Sequence, residues 1–195
     1  MYRHFNSKFQ KQVTIIHPGE YFATAEDEVI STVLGSCIAV ALYDPIKHVG
    51  GLNHFMLPGA LGEDSKLMSE TGKYGVFAME FLINELMRLG SRRQDLVAKV
   101  FGGGHVLRGS KGNVSRVPQS NIDFAYTYLN TEKLRIETAD VGGTMARKIF
   151  FYPQTSKILL KRISGTLITN VEREEEEYLR KIQKENAEKH SATFF

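Results

Sequence analysis

From residue 29 to residue 57 the chain is cut into three short apolar runs, 29–34, 37–43 and 49–57. Gly35-Ser36 separates the first from the second, and the segment Asp44-Pro45-Ile46-Lys47 with His48 the second from the third. Runs of this length bounded by turn residues read as β-strands. Asp and Pro at the first two turn positions are a type I signature, and Gly35-Ser36 reads as a kink or bulge. In the middle run Cys37, Ala39 and Ala41 share one face, while Ile38, Val40 and Leu42 share the other. A chain built this way folds by strand pairing.

The remaining sequence extends the pattern. Residues 96–101, 134–141, 144–152 and 156–163 read as strands, with Gly142-Gly143 turning one hairpin and Asp140 and Arg147 forming an ion pair nearby. Residues 73–89 have the clearest helical period. There Tyr74, Val76, Phe77, Phe81, Ile83 and Leu86 spread round so much of the girth that a largely buried helix is expected, stopped by Gly90. A second helix is expected from about residues 118–121, carrying Ile122, Ala125, Tyr126 and Leu129. Strands outnumber helices, and hairpins are more evident than βαβ units. The expected fold class is therefore α/β of the α+β kind, a layered β-sandwich of mixed sheets flanked by helices.

Past Val171 the composition turns charged. Glu174 to Glu177 are followed by Arg180, Lys181 and Lys184, and Glu176–Arg180 and Glu177–Lys181 have the i,i+4 order of an exposed helix. The expected division is a domain at 1–165 and a charged helical appendage with a tail at 166–195. The tail ends in Phe194-Phe195, an aromatic tip that could tether the chain to a partner.

A net charge of +3, with basic residues scattered, gives no groove for nucleic acid. No run approaches the roughly 20 apolar residues that cross a bilayer, and the first residues lack a continuous apolar leader. With one cysteine in the chain, these features predict a cytoplasmic protein with no membrane insertion. The histidines form no HExxH and one cysteine makes no CxxC, so neither metal nor cofactor is expected. Gly102-Gly103-Gly104-His105 lacks the spacing of a phosphate loop and reads as a tight turn after a strand.

A solitary cysteine cannot cross-link its own fold, so any special role it has is reactivity. A nearby imidazole makes a thiol a ready nucleophile. If a turn at 44–47 sets those two residues face to face, counting back along both strands puts Cys37 opposite His54, with Cβ atoms about 4.5–5.5 Å apart. A slip of one residue would separate them onto opposite faces. On their own, Cys37 and His54 read equally as packing residues of the core.

The motifs around this pair resemble those of the CheD family, the chemoreceptor glutamine deamidases of bacterial chemotaxis. The resemblance rests on Leu34-Gly35-Ser36-Cys37-Ile38-Ala39-Val40, on Asp44-Pro45 and on Gly51-Leu52-Asn53-His54-Phe55-Met56-Leu57-Pro58. It is continued by Phe101-Gly102-Gly103-Gly104 and by Asp140-Val141-Gly142-Gly143 with Arg147. It implies a sandwich similar to bacterial toxin deamidases, Cys37 as nucleophile and His54 as its base. The family's third position is a threonine upstream of the Gly-Ser-Cys, here Thr32 or, by strict spacing, Ser31. It further implies hydrolysis of receptor glutamines to glutamate without a cofactor, possible cleavage of glutamate methyl esters, and the CheC phosphatase as a possible partner. A module that docks on chemotaxis proteins without turnover is the alternative, and a cysteine protease is a third reading.

Overall fold

The computed structural model describes residues 1–61, 67, 69–106, 116–163 and 166–191. Phe194 and Phe195 lie outside them. The elements run β1 (Tyr2–Asn6), β2 (Lys11–Ile15), β3 (Tyr21–Thr24), β4 (Val29–Leu34), β5 (Ile38–Asp44), β6 (Val49–Asn53), α1 (Glu70–Arg88), β7 (Val97–Gly102), α2 (Val117–Thr131), β8 (Arg135–Val141), β9 (Ala146–Tyr152), β10 (Lys157–Ile163) and α3 (Thr166–Ser191). One five-stranded sheet is ordered β1-β2-β4-β9-β10 and the other β3-β6-β5-β7-β8. Each is mixed, with β2 parallel to β4 and β7 parallel to β8.

The alternation in β5 sets the layering. Cys37, Ala39, Ala41 and Tyr43 point between the sheets, where they meet Ile30, Leu34, Ile149 and Phe151 of the opposite sheet. Ile38, Val40 and Leu42 point outward into a second core, closed by Met79, Leu82, Ile83 and Leu86 of α1 and by Phe124, Ala125 and Leu129 of α2. This agrees with the expected layered sandwich of mixed sheets flanked by helices.

Three local expectations are corrected. The β5–β6 hairpin closes with Asp44 paired to Val49 and Ala41 to Leu52, and a bridge joins Ile38 to Phe55. The connection is therefore longer than a two-residue turn. The Asp44 carboxylate accepts from the Ile46 and Lys47 N–H groups, and His48 takes a left-handed conformation (φ 55°). The register shifts by two residues, an even number, so Cys37 and His54 stay on one face. Residues 135–152 are not a hairpin: β8 lies beside β7 and β9 beside β4, so Gly142-Gly143 carries the chain from one sheet to the other. Helix α1 is only half buried, because Phe77 (60% exposed) and Phe81 (52% exposed) project outward, Phe81 stacking on Tyr21.

Glycines allow the layers to approach. A Cβ on Gly50 would meet the Phe151 ring at 2.8 Å, and one on Gly51 would meet Leu82 Cδ1 at 2.6 Å. Neighbours in one strand thus admit the opposite sheet on one side and α1 on the other. Gly51→Val is expected to destabilise the protein by about 2 kcal/mol or more through overpacking, seen as a lower urea midpoint with unchanged slope.

Candidate active site

Gly35, Ser36 and Cys37 carry the chain from β4 in one sheet to β5 in the other. Such a bend has no ladder to satisfy its backbone groups, and the surrounding structure supplies partners instead. Gly103 N–H donates to the Cys37 carbonyl (2.6 Å) and Gly104 N–H to the Gly35 carbonyl (2.7 Å). Asn121 Nδ2 donates to the Ser36 carbonyl (2.9 Å), while its Oδ1 accepts from Leu57 N–H (2.8 Å). The glycine run after β7 is thus a clamp on the cysteine bend. Gly102 takes φ 114°, and a side chain there would overlap the Cys37 carbonyl.

His54 follows β6, with its backbone held by Glu20 and Gly19. Its Nδ1 lies 2.7 Å from Thr32 Oγ1. The Thr32 hydroxyl donates to the Ile16 carbonyl (2.8 Å), so it receives rather than gives in its bond to the ring. That arrangement puts the imidazole proton on Nδ1 and leaves a lone pair on Nε2, which has no hydrogen-bond partner among the described residues. Cys37 and His54 offer sulfur and nitrogen within 4.8 Å of one another. Ser31, the other candidate, points to the neighbouring strand and donates to the Ile149 carbonyl (2.9 Å).

A fourth side chain enters from α3. Glu174, Glu176 and Glu177 face water, but Glu175 is 1% exposed. Its Oε1 accepts from Gly35 N–H (2.9 Å) and Cys37 N–H (3.1 Å). Its Oε2 accepts from Ser36 N–H (2.7 Å) and Ser36 Oγ (2.6 Å). The expectation of a solvated acidic run fails at this residue because three converging N–H groups replace water. The signal lies in the spacing: Val171, Glu175, Tyr178, Leu179 and Ile182 form one stripe on the helix. Asn121 escapes sequence reasoning for a simpler reason, since nothing local marks a residue that braces two distant loops.

Burial pushes the Cys37 thiol well above its ordinary range, and the neighbouring Glu175 carboxylate pushes it further. Burial, aided by His17, lowers His54 to about 3. Thiol and imidazole are therefore both neutral in this state. Cys37, His54 and Glu175 are also ligand types that suit zinc, although the carboxylate already accepts four hydrogen bonds.

A buried thiol, an imidazole with a free nitrogen and a hydroxyl behind the ring form the constellation a cysteine-nucleophile hydrolase requires. A family model described as CheD chemotactic sensory transduction matches residues 56–162. A probable chemoreceptor glutamine deamidase CheD 1 of Shewanella oneidensis is 42% identical over 93% of this chain and 87% of its own. A probable chemoreceptor glutamine deamidase CheD of Thiobacillus denitrificans is 37% identical over 92% and 88%, and one of Cupriavidus metallidurans 42% over 89% and 79%. The chain belongs to the CheD family. The crystal structure of Bacillus licheniformis hypothetical protein YfiH overlaps 62% of this chain and 49% of its own at TM-score 0.39 and 12% identity, too loosely to carry an argument. Among the described residues no helix is long and apolar enough to cross a membrane.

The lowered His54 has a consequence for stability. Below about pH 6.5 the unfolded chain binds a proton that folded His54 refuses until about pH 3. Stability therefore falls as pH drops through that window, by up to about 1.4 kcal/mol per pH unit from this residue. Urea midpoints measured at pH 7 and pH 5 should fall less in His54→Gln than in the unaltered protein.

Proposed function

We propose that this chain hydrolyses the side-chain amide of glutamines in the cytoplasmic parts of chemoreceptors, leaving glutamate. The observation that carries the reading is the row Thr32, His54, Cys37 beside a cluster of backbone donors. Cys37 is the nucleophile and His54 Nε2 takes its proton. Thr32 is the positioning residue that keeps the imidazole in the tautomer with Nε2 free. The Gly35 and Cys37 N–H groups converge on one carboxylate oxygen, Glu175 Oε1, and the same pair suits the oxyanion of a tetrahedral intermediate.

The steps follow. Sulfur attacks the carboxamide carbon, and the proton received by His54 passes to the departing nitrogen, releasing ammonia and leaving a thioester. Water, deprotonated by His54, then adds to the thioester carbon, and the thiol leaves with its proton restored. The same groups would cleave a glutamate methyl ester, with methanol as the leaving group. No step calls on a cofactor.

Cytoplasmic residence belongs to this proposal. So does the CheC phosphatase as a second partner, supported by the exposed rings of Phe77 and Phe81, stacked on half-buried Tyr21, as a surface for a protein to cover. Docking without turnover is the competing reading. Cys37→Ala separates the two: mass spectrometry of receptor peptides should show conversion of glutamine lost. Conversion at the original rate would leave only the docking role, and receptor chain cleavage would point to a protease.

Thr32→Val is expected to lower kcat by about 10²-fold, within the range of general acid–base catalysis. Ser31→Ala should leave turnover essentially unchanged, since its hydroxyl serves only a neighbouring strand.

A further inference from the structure

The site described above is closed in this structure, and what closes it is part of the same chain. Cys37 is 0% and His54 2% exposed, so no glutamine can reach them as they stand. Helix α3 lies over them on one stripe. Val171 is buried, Glu175 enters the donor cluster, Tyr178 and Leu179 pack on the core that contains Cys37 and Met56, and Ile182 is fully buried. Polar contacts pin the two flanks: His17 Nδ1 lies 2.6 Å from Glu174 Oε1, and Gln183 Nε2 donates to the Pro58 carbonyl (3.0 Å). Gly19 leaves room for Tyr178, whose hydroxyl would stand 2.6 Å from any Cβ there.

The chemistry of the inserted group is specific. A glutamate side chain is what hydrolysis of a glutamine side chain leaves behind. Its carboxylate holds one oxygen against two backbone N–H groups and lies, with the Cys37 sulfur and a His54 nitrogen, inside a cluster whose atoms are all within 4.8 Å. A solvent-facing acidic helix has no reason to bury one carboxylate of four, because an unpaired buried charge is costly. The donors around Cys37 make that burial favourable.

We propose that α3 is a built-in product mimic. Its stripe fills the groove that receives a substrate helix, Glu175 stands where the product glutamate stands, and substrate enters only when α3 is displaced. The proposal rests on the deamidase reading and adds to it a self-capped resting state. It also describes the partner the groove fits: an amphipathic helix with apolar residues four before and three, four and seven after the reacting glutamine, matching Val171, Tyr178, Leu179 and Ile182.

The test converts the mimic into a substrate. In full-length Glu175→Gln, Cys37 Sγ would attack Cδ of the introduced side chain, the C–N bond would break, and the Cys37 proton would leave with the nitrogen as ammonia. Water would then restore the thiol and regenerate the native Glu175, a net gain of one water and loss of one ammonia. Mass spectrometry of the peptide containing residue 175 is expected to show the introduced amide becoming a carboxylate, at a rate independent of protein concentration. The double variant with Cys37→Ala should retain the amide. In a second variant, Glu175→Ala, loss of the buried carboxylate should favour the open state, with Cys37 alkylation and receptor deamidation both about tenfold faster or more.

An amide that persists at position 175 in a protein still able to convert receptor glutamines would overturn the cap and leave the deamidase reading standing. An amide that persists there in a folded protein with no receptor conversion, the unaltered chain being equally inactive, would overturn both. A conversion rate that rises in proportion to protein concentration would mean capture of a second copy's helix, against the built-in cap. If a chelator alone released Cys37 in the unaltered chain, the block would belong to a cation on Cys37, His54 and Glu175, and the proposal would fall.

Discussion

Everything near the site depends on how the bend at Gly35, Ser36 and Cys37 is satisfied. A chain that passes between two sheets leaves both backbone carbonyls and N–H groups without ladder partners, and in a buried place each must find one. The carbonyls are met by Gly103, Gly104 and Asn121, and the N–H groups by Glu175. The two sets differ in kind. The carbonyl partners come from the sandwich and α2, whereas the N–H partner comes from a charged helix at the end of the chain. The carbonyl side of the bend is thus tied to the sandwich itself, whereas its N–H side faces a single side chain from another element, the one contact that the proposed displacement of α3 would release.

The electrostatics of the closed site agree with that division. Burial, and after it the carboxylate beside Cys37, opposes thiolate formation, and burial likewise disfavours imidazolium. Thiol and ring rest uncharged, and Thr32 keeps the ring's free nitrogen available. Replacing the carboxylate with a neutral amide would remove the charge that opposes the thiolate. The carboxylate thus adds to the quieting that burial already imposes on the thiol.

Much of this is legible in the residues. The faces of β5, the strand spans 29–34 and 156–163 and the helix of 73–89 follow from period and turn chemistry, because both report local burial. The pairing of Cys37 with His54 survives a wrong register only because the shift is even. The hairpin expected at Gly142-Gly143 fails because the same two glycines (φ 73° each) serve a sheet-to-sheet crossing as readily as a tight turn. Hydrophobicity places Phe77 and Phe81 inside, yet a helix packed on one sheet has one buried stripe and leaves large apolar residues elsewhere on its girth.

The sequence by itself determined the layered strand architecture, a thiol and an imidazole on one face of neighbouring strands, and a charged helix after the sandwich. Those properties are carried by local pattern and side-chain identity. Only the tertiary structure put the Thr32 hydroxyl, and not that of Ser31, against the imidazole, revealed Asn121 as a brace and set Glu175 against the cysteine bend. Each of these depends on hydrogen bonds between groups remote in the chain: 22 residues separate Thr32 from His54, and 140 separate Gly35 from Glu175. No local period encodes which donors such distant segments will find facing them once the sheets have closed.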